Sequence, residues 1–235
     1  MSLRAILFDA GNTLLFLDYP RLADGVAAAT GFPLTGESLA ARASEAAMLM
    51  ERGDTTDRER ASRYLEQLFL LAGVPAAQLP VVRDTLLALH RQRHLWGRVD
   101  PATGVALDRL RAAGFRLGVI SNSDGRAEEG LVAAGLRDRF ELVVDSQLVG
   151  FEKPDPRIFT WALERMGLSP DEALYVGDLY EVDVVGARRA GMEAILLDDA
   201  GNHRGRDVRT AANVADVAEM LLQATRRQDD EATRL

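Results

Sequence analysis

From Asp100 onward the sequence alternates between short apolar runs and stretches of helical spacing, and this alternation limits the possible folds more than any other feature. The runs Arg116 to Ile120, Leu142 to Val144, Ala173 to Val176 and Glu193 to Leu197 are continuous in apolar residues rather than alternating, as strands covered on both faces are. Between them, helical spacing covers Pro101 to Ala113 with Gly114 as its stop, then Arg126 to Ala134, Asp155 to Met166 and Asp183 to Ala190, and a last helix lies around Val214 to Ala224. Arg4 to Phe8 is an earlier run of the same character, ending at Asp9 and followed by the turn signal Gly11-Asn12-Thr13. Strand, helix, strand with short connections implies right-handed crossovers. The expected fold is α/β, a Rossmann-like parallel sheet core with helices on both faces.

One segment interrupts the pattern. Between Tyr19 and Leu95 no strand-like run occurs, and Ala, Leu, Glu and Arg recur at helical spacing, broken at Gly31-Phe32-Pro33, Gly53-Asp54 and Gly73-Val74-Pro75. These breaks leave about four helices. Residues 1–17 and 97–235 are therefore expected to form the core, with residues 18–96 an inserted all-helical cap subdomain. The polar tail Arg226 to Leu235 is expected to fray.

Composition removes several functions. With 28 basic residues against 36 acidic ones, a formal net charge of −8, the chain lacks the basic face of a non-specific nucleic-acid binder. No stretch approaches 18 consecutive apolar residues, so no membrane span is expected, and the apolar run near the N-terminus is too short for a signal sequence. The expected location is cytoplasmic. The absence of cysteine excludes disulfides, thiol nucleophiles and Cys-ligated zinc. His90 and His94 stand four apart on one helix face, but the sequence offers them no third ligand, so they are not read as a metal site. Of the 28 basic residues 27 are arginine; the one lysine is Lys153.

In an open parallel sheet, ligands bind at the carboxyl ends of the strands. Those ends carry Asp9, Ser121-Asn122 and Gly177-Asp178, with Asp183 one helical turn further on and Lys153 in the loop after the third strand. Taken singly, each is an ordinary helix cap, loop residue or solvated carboxylate. Together at successive strand ends they supply a carboxylate nucleophile, a hydroxyl, an ammonium and a carboxylate pair.

These segments resemble, in order and spacing, the four motifs of the haloacid dehalogenase-like superfamily, in particular members with a helical cap inserted after the first motif. FDAGNTLL (Phe8 to Leu15) is similar to the first, VISNSD (Val119 to Asp124) to the second, GFEKPDPRIF (Gly150 to Phe159) to the third and VGDLYEVDVVGARRAG (Val176 to Gly191) to the fourth. The resemblance implies Asp9 as nucleophile, Thr13 as its supporting hydroxyl, Ser121 and Asn122 as phosphate binders, and Lys153 between Asp9 and a phosphoryl oxygen. It also implies magnesium held by Asp9, Asp178 and the Gly11 carbonyl, with Asp183 orienting a ligating water. Elementary chemistry agrees, since a carboxylate attacks a phosphate dianion only where positive charge cancels the repulsion, and magnesium prefers hard oxygen ligands.

One position departs from the pattern. Phosphatases of this superfamily carry a second aspartate two residues after the nucleophile, to protonate the leaving oxygen, and here that position is Gly11. Such proton transfer is worth roughly 10²- to 10⁴-fold in rate. Three readings follow. The chain is a magnesium-dependent phosphatase of a small phosphorylated metabolite, working as a monomer or homodimer and using another proton source. Alternatively it is a 2-haloacid dehalogenase, whose halide leaving group needs no proton, or a catalytically weak member with a binding or regulatory role. Gly177-Asp178 with Asp183 is the magnesium-binding form of the fourth motif and speaks against the dehalogenase. A Schiff-base mechanism, which needs a cap lysine, is excluded because residues 18–96 contain none. Cap arginines Arg21, Arg42, Arg52, Arg58, Arg60 and Arg63 are candidates to meet an anionic substrate tail.

Overall fold

The computed structural model describes residues 3–50 and 57–233, with the side chains of residues 50, 57–60 and 227–233 left aside. The chain divides into two compact units, one of residues 1–15 and 99–235, the other of residues 16–98. The first opens with β1, Ala5–Phe8, every residue of which is buried.

The second unit is helical. Its boundaries fall two residues outside the expected 18–96 on each side, because Phe16–Leu17 (β2) and Trp96–Arg98 (β3) pair antiparallel, Leu17 opposite Trp96. Strands of two and three residues are too short to show a period. Between them lie α1 (Tyr19–Thr30), α2 (Gly36–Ala40), α3 (Ala43–Met50), α4 (Asp57–Leu71) and α5 (Leu79–Gln92). Asp18 caps α1 by accepting from Arg21 N, and Pro20 fits the first turn, where its missing N–H costs nothing. Gly31, at φ 70°, closes the same helix in a left-handed conformation that a side chain would strain. Thr35 and Ser38 cap α2 reciprocally. The expected break at Gly53-Asp54 lies outside the described residues. Leu22, Val26, Leu39, Ala46, Tyr64, Leu68, Phe69, Val82 and Leu86 form this unit's own core. Burial of each large side chain contributes about 2 kcal/mol.

The first unit continues with α6 (Pro101–Ala112), β4 (Arg116–Ser121), α7 (Ala127–Ala133), β5 (Leu142–Asp145), α8 (Ser146–Val149) and α9 (Pro156–Met166). There follow β6 (Ala173–Gly177), a wide helical turn over Tyr180–Val184, α10 (Val185–Arg189), β7 (Glu193–Leu197), β8 (Arg209–Ala211) and α11 (Val214–Thr233). Six parallel strands form one sheet in the order β5-β4-β1-β6-β7-β8. Strand β8 escapes the sequence because it is three residues long and exposed at two of them. Helix α11 runs through Arg226 to Thr233 instead of fraying there; no glycine or proline interrupts residues 214–233. No helix among the described residues is long and apolar enough to cross a membrane.

Chain order reverses at β1, which has β4 on one side and β6 on the other. Such a switch point opens a crevice at the carboxyl ends of the strands, and the polar strand ends converge on it. Beneath them Leu7, Ile120, Ile158, Phe159, Leu163, Tyr175 and Leu196 pack as the core that holds β1 rigid.

Candidate active site

Asp9 follows directly on β1 and continues its ladder, its N–H donating to Val176 O at 2.8 Å. The chain then turns tightly. Leu14 N and Leu15 N both donate to Ala10 O, and Asn12 N donates to Leu15 O at 2.8 Å. Asn12 takes φ 55°, a left-handed conformation that asparagine tolerates better than most side chains. The turn brings Thr13 inward. It is 1% exposed, and its buried Oγ1 has no hydrogen-bond partner among the described residues, which leaves the hydroxyl able to meet a ligand oxygen.

Lys153 is 3% exposed. Its Nζ donates to Asp9 Oδ1 at 2.5 Å, to Asp183 Oδ1 at 2.7 Å and to Tyr175 Oη at 2.9 Å, which accounts for all three ammonium hydrogens. Burial disfavours the charge, yet the carboxylates of Asp183 and Asp9 outweigh it and hold the ammonium well above the usual lysine range. The lysine's backbone is held as firmly. Asn122, just beyond β4, accepts from Lys153 N at 2.8 Å and donates to Lys153 O at 2.9 Å.

Asp183 uses both oxygens within the chain, Oδ1 for Lys153 and Oδ2 for Leu179 N at 2.9 Å. Its carboxylate lies against Gly177, where an added Cβ would stand 2.3 Å from Asp183 Cγ. Only glycine leaves room there. Half-buried Asp178 receives a long hydrogen bond, 3.4 Å, from Asn12 Nδ2. Burial, followed by the charges of Asp9 and Asp183, pushes the Asp178 carboxyl well above the ordinary carboxylate range. Two carboxylates thus bond to the single ammonium and a third feels its charge.

The structure bonds Asp9, Asn122 and Asp183 to Lys153, places Asp178 within reach of their charges, and sets Thr13 in the same turn as Asp9. Ser121 ends β4 beside Asn122 and is 5% exposed. Gly11 stands in the turn between Asp9 and Thr13 and offers no side chain. The side chain of Asn122 is occupied with Lys153, so any contact it makes to a phosphoryl group falls to its backbone N–H.

Sequence reasoning missed two supports. Tyr175 looks like one more apolar strand residue, and no pattern separates it from its neighbours. Asp145 accepts from Gly125 N, Ala127 N and Gln147 N at 3.1, 3.0 and 3.0 Å, while Ser146 exchanges hydrogen bonds with the backbone of Ser123. Together they fasten the loop that follows Ser121. An aspartate followed by serine at the end of a strand was the available signal.

The cap arginines divide. Arg21 donates to the Arg93 and His94 carbonyls at 3.1 and 3.4 Å and to the Leu89 carbonyl, fixing the end of α5 inside its own unit. Arg42 pairs with Glu45 on the surface and Arg63 is exposed. Arg52, Arg58 and Arg60 lie outside the described side chains. The rings of His90 and His94 pack edge to face at 4.7 Å.

A family model for haloacid dehalogenase-like hydrolases matches residues 3–191, and the chain belongs to that family. It is 32% identical over 234 residues to a glyceraldehyde 3-phosphate phosphatase of Methanothermobacter thermautotrophicus, covering 93% of this chain and 100% of that protein. Over 130 residues it is 41% identical to haloacid dehalogenase-like hydrolase domain-containing protein 3 of Mus musculus, covering 55% of this chain but only about half, 51%, of the mouse protein. Among solved structures, a phosphatase of the same family from Thermococcus onnurineus superposes with a TM-score of 0.60 at 26% identity, covering 93% of this chain and 98% of that one.

Proposed function

We propose that this hydrolase is a magnesium-dependent phosphatase of a small phosphorylated metabolite, with Asp9 as nucleophile. The observation that carries the reading is that Asp9 and Asp183 share one ammonium while Asp178 lies close enough to feel both carboxylates: ionised, the three hold a surplus of negative charge that a divalent cation relieves. The donors fit magnesium, because Asp9, Asp178 and the Gly11 carbonyl are all hard oxygens. Asp183, engaged on both oxygens, holds Lys153 and the start of the turn after Asp178, and its reach to the ion passes through water. Bound magnesium supplies charge to offset the repulsion between Asp9 and the phosphoryl oxygens.

The residues divide the work as follows. The Thr13 hydroxyl, the Ser121 hydroxyl and the backbone N–H of Asn122 receive the phosphoryl oxygens. Lys153 fixes Asp9 through Oδ1 and lowers the cost of bringing a carboxylate to a dianion. An oxygen of Asp9 forms a bond to phosphorus as the bond to the ester oxygen breaks, giving an aspartyl phosphate. Water then attacks phosphorus, the acyl phosphate bond breaks, and Asp9 is restored. With glycine at position 11, the departing oxygen takes its proton from water or from the substrate. The helical unit serves as the cap that chooses the substrate, and glyceraldehyde 3-phosphate is the first candidate in a metabolite panel because the similar archaeal phosphatase matches 93% of the chain over its own full length.

Gly11 favours a second reading, halide displacement without a proton donor. Hydrolysis of p-nitrophenyl phosphate separates the two. We expect turnover with magnesium, its loss in EDTA, and its loss in Asp9→Asn. No turnover of p-nitrophenyl phosphate with magnesium, together with chloride release from 2-chloropropionate in EDTA, replaces the phosphatase by the dehalogenase.

A further inference from the structure

The Lys153 ammonium has a partner that the chemistry above does not use. Tyr175 is fully buried in the middle of β6, and its oxygen accepts from Lys153 Nζ at 2.9 Å while its hydroxyl donates to Ile120 O at 3.1 Å. We propose that Tyr175 is a positioning residue: its phenol oxygen is the third, uncharged leg of a tripod that fixes the Lys153 ammonium between Asp9 and Asp183.

Three features of the geometry support this. An ammonium has three hydrogens in fixed directions, and two point to carboxylates; without the phenol the third has no acceptor among the described residues, on a lysine that is only 3% exposed. The phenol cannot take the wrong role, because its own hydrogen is committed to the Ile120 carbonyl. It therefore accepts from the lysine and does not compete for Asp9 or Asp183. Its ring is also held, with Phe159 packed edge to face at 5.0 Å and 79°. The consequence reaches further than the lysine. Ile120 precedes Ser121, so one hydroxyl links the strand that presents the phosphate-binding serine to the ammonium that aligns the nucleophile. The rate effect rests on the phosphatase reading, whereas the placement of the ammonium does not.

Because the chain has a single lysine, protein grown on ¹⁵N-lysine gives one ammonium resonance. In the wild type we expect that signal to persist at neutral pH and to show cross-relaxation to the Tyr175 ring protons. In Tyr175→Phe it should shift, and its protons should exchange with water at least about tenfold faster, since one hydrogen-bond partner is gone. With p-nitrophenyl phosphate and magnesium, kcat of the variant should fall roughly 10- to 100-fold while KM changes less than about threefold, as misplacement of a catalytic group demands. An unmoved resonance overturns the proposal, and so does a moved resonance with kcat within about twofold of wild type. Should Tyr175→Phe fail to fold, the wild-type cross-relaxation decides, its absence counting against the tripod. A wild type inert toward phosphate esters sinks the phosphatase reading and leaves the resonance to judge Tyr175.

Discussion

At the scale of single residues the site turns on an ammonium whose hydrogens are all spoken for. Lys153 places each of its three on a different partner, and a guanidinium cannot copy that, being planar, larger and unable to converge its donors on one point. Lys153→Arg should therefore lower kcat by about 100-fold despite conserving charge, measured with p-nitrophenyl phosphate and magnesium. A nearly wild-type rate would make the lone lysine an accident of composition. Gly11 makes the opposite kind of prediction. If the missing acid limits the rate, Gly11→Asp should raise turnover of alkyl phosphates more than that of aryl phosphates, whose leaving groups need the proton less. Equal or lower rates on both contradict it. These residues were legible because their types are conspicuous: a single lysine, a glycine where the resemblance expects an aspartate, carboxylates after apolar runs. Tyr175 was not, because burial in the core and duty in the site call for the same amphipathic side chain.

Secondary-structure elements show why the two ends of the sheet differ in purpose. At the carboxyl end the loops are clamped to one another, Asn122 to the Lys153 backbone and Asp145 to the loop after β4. At the other end Glu172 accepts from Arg4 at 2.8 Å and from Ser169 N and Oγ, linking the approach to β1 with the approach to β6. The Arg4 side chain comes first among the causes that hold Glu172 down at about 2, from an ordinary 4.5. A carboxyl depressed in the folded state stabilises above its unfolded value and loses that contribution as pH falls through the folded one. Glu172→Gln should thus melt below wild type at neutral pH, with the gap closing between about pH 4.5 and pH 2 and kcat at neutral pH unchanged. A gap that persists at pH 2 refutes the linkage. Periodicity located the long strands and helices, since their apolar residues outnumber their ends. It passed over β2, β3 and β8, whose two or three residues owe their conformation to a partner strand rather than to their own sequence.

At the scale of the whole molecule the division into two units has an energetic basis, because each carries its own buried cluster. Residues 16–98 surround Leu22, Leu39, Leu68, Phe69 and Val82 without help from the sheet, and Arg21 and Asp18 tie their two ends together. Expressed alone, that segment should show a helical circular dichroism spectrum and a cooperative thermal transition. A gradual, featureless melt would mean that it depends on the rest of the chain for its structure.

The pairing of β2 with β3 also bears on how such a protein can change over generations. Entry and exit of the inserted unit lie side by side, Leu17 opposite Trp96, so the sheet meets an excursion of some eighty residues as it would meet a hairpin turn. A recombination event that exchanges everything between those two strands alters neither the order of the six parallel strands nor the placement of Asp9, Lys153 and Asp178. The inserted unit can then be exchanged as a module while the strand ends that carry those residues pass on untouched.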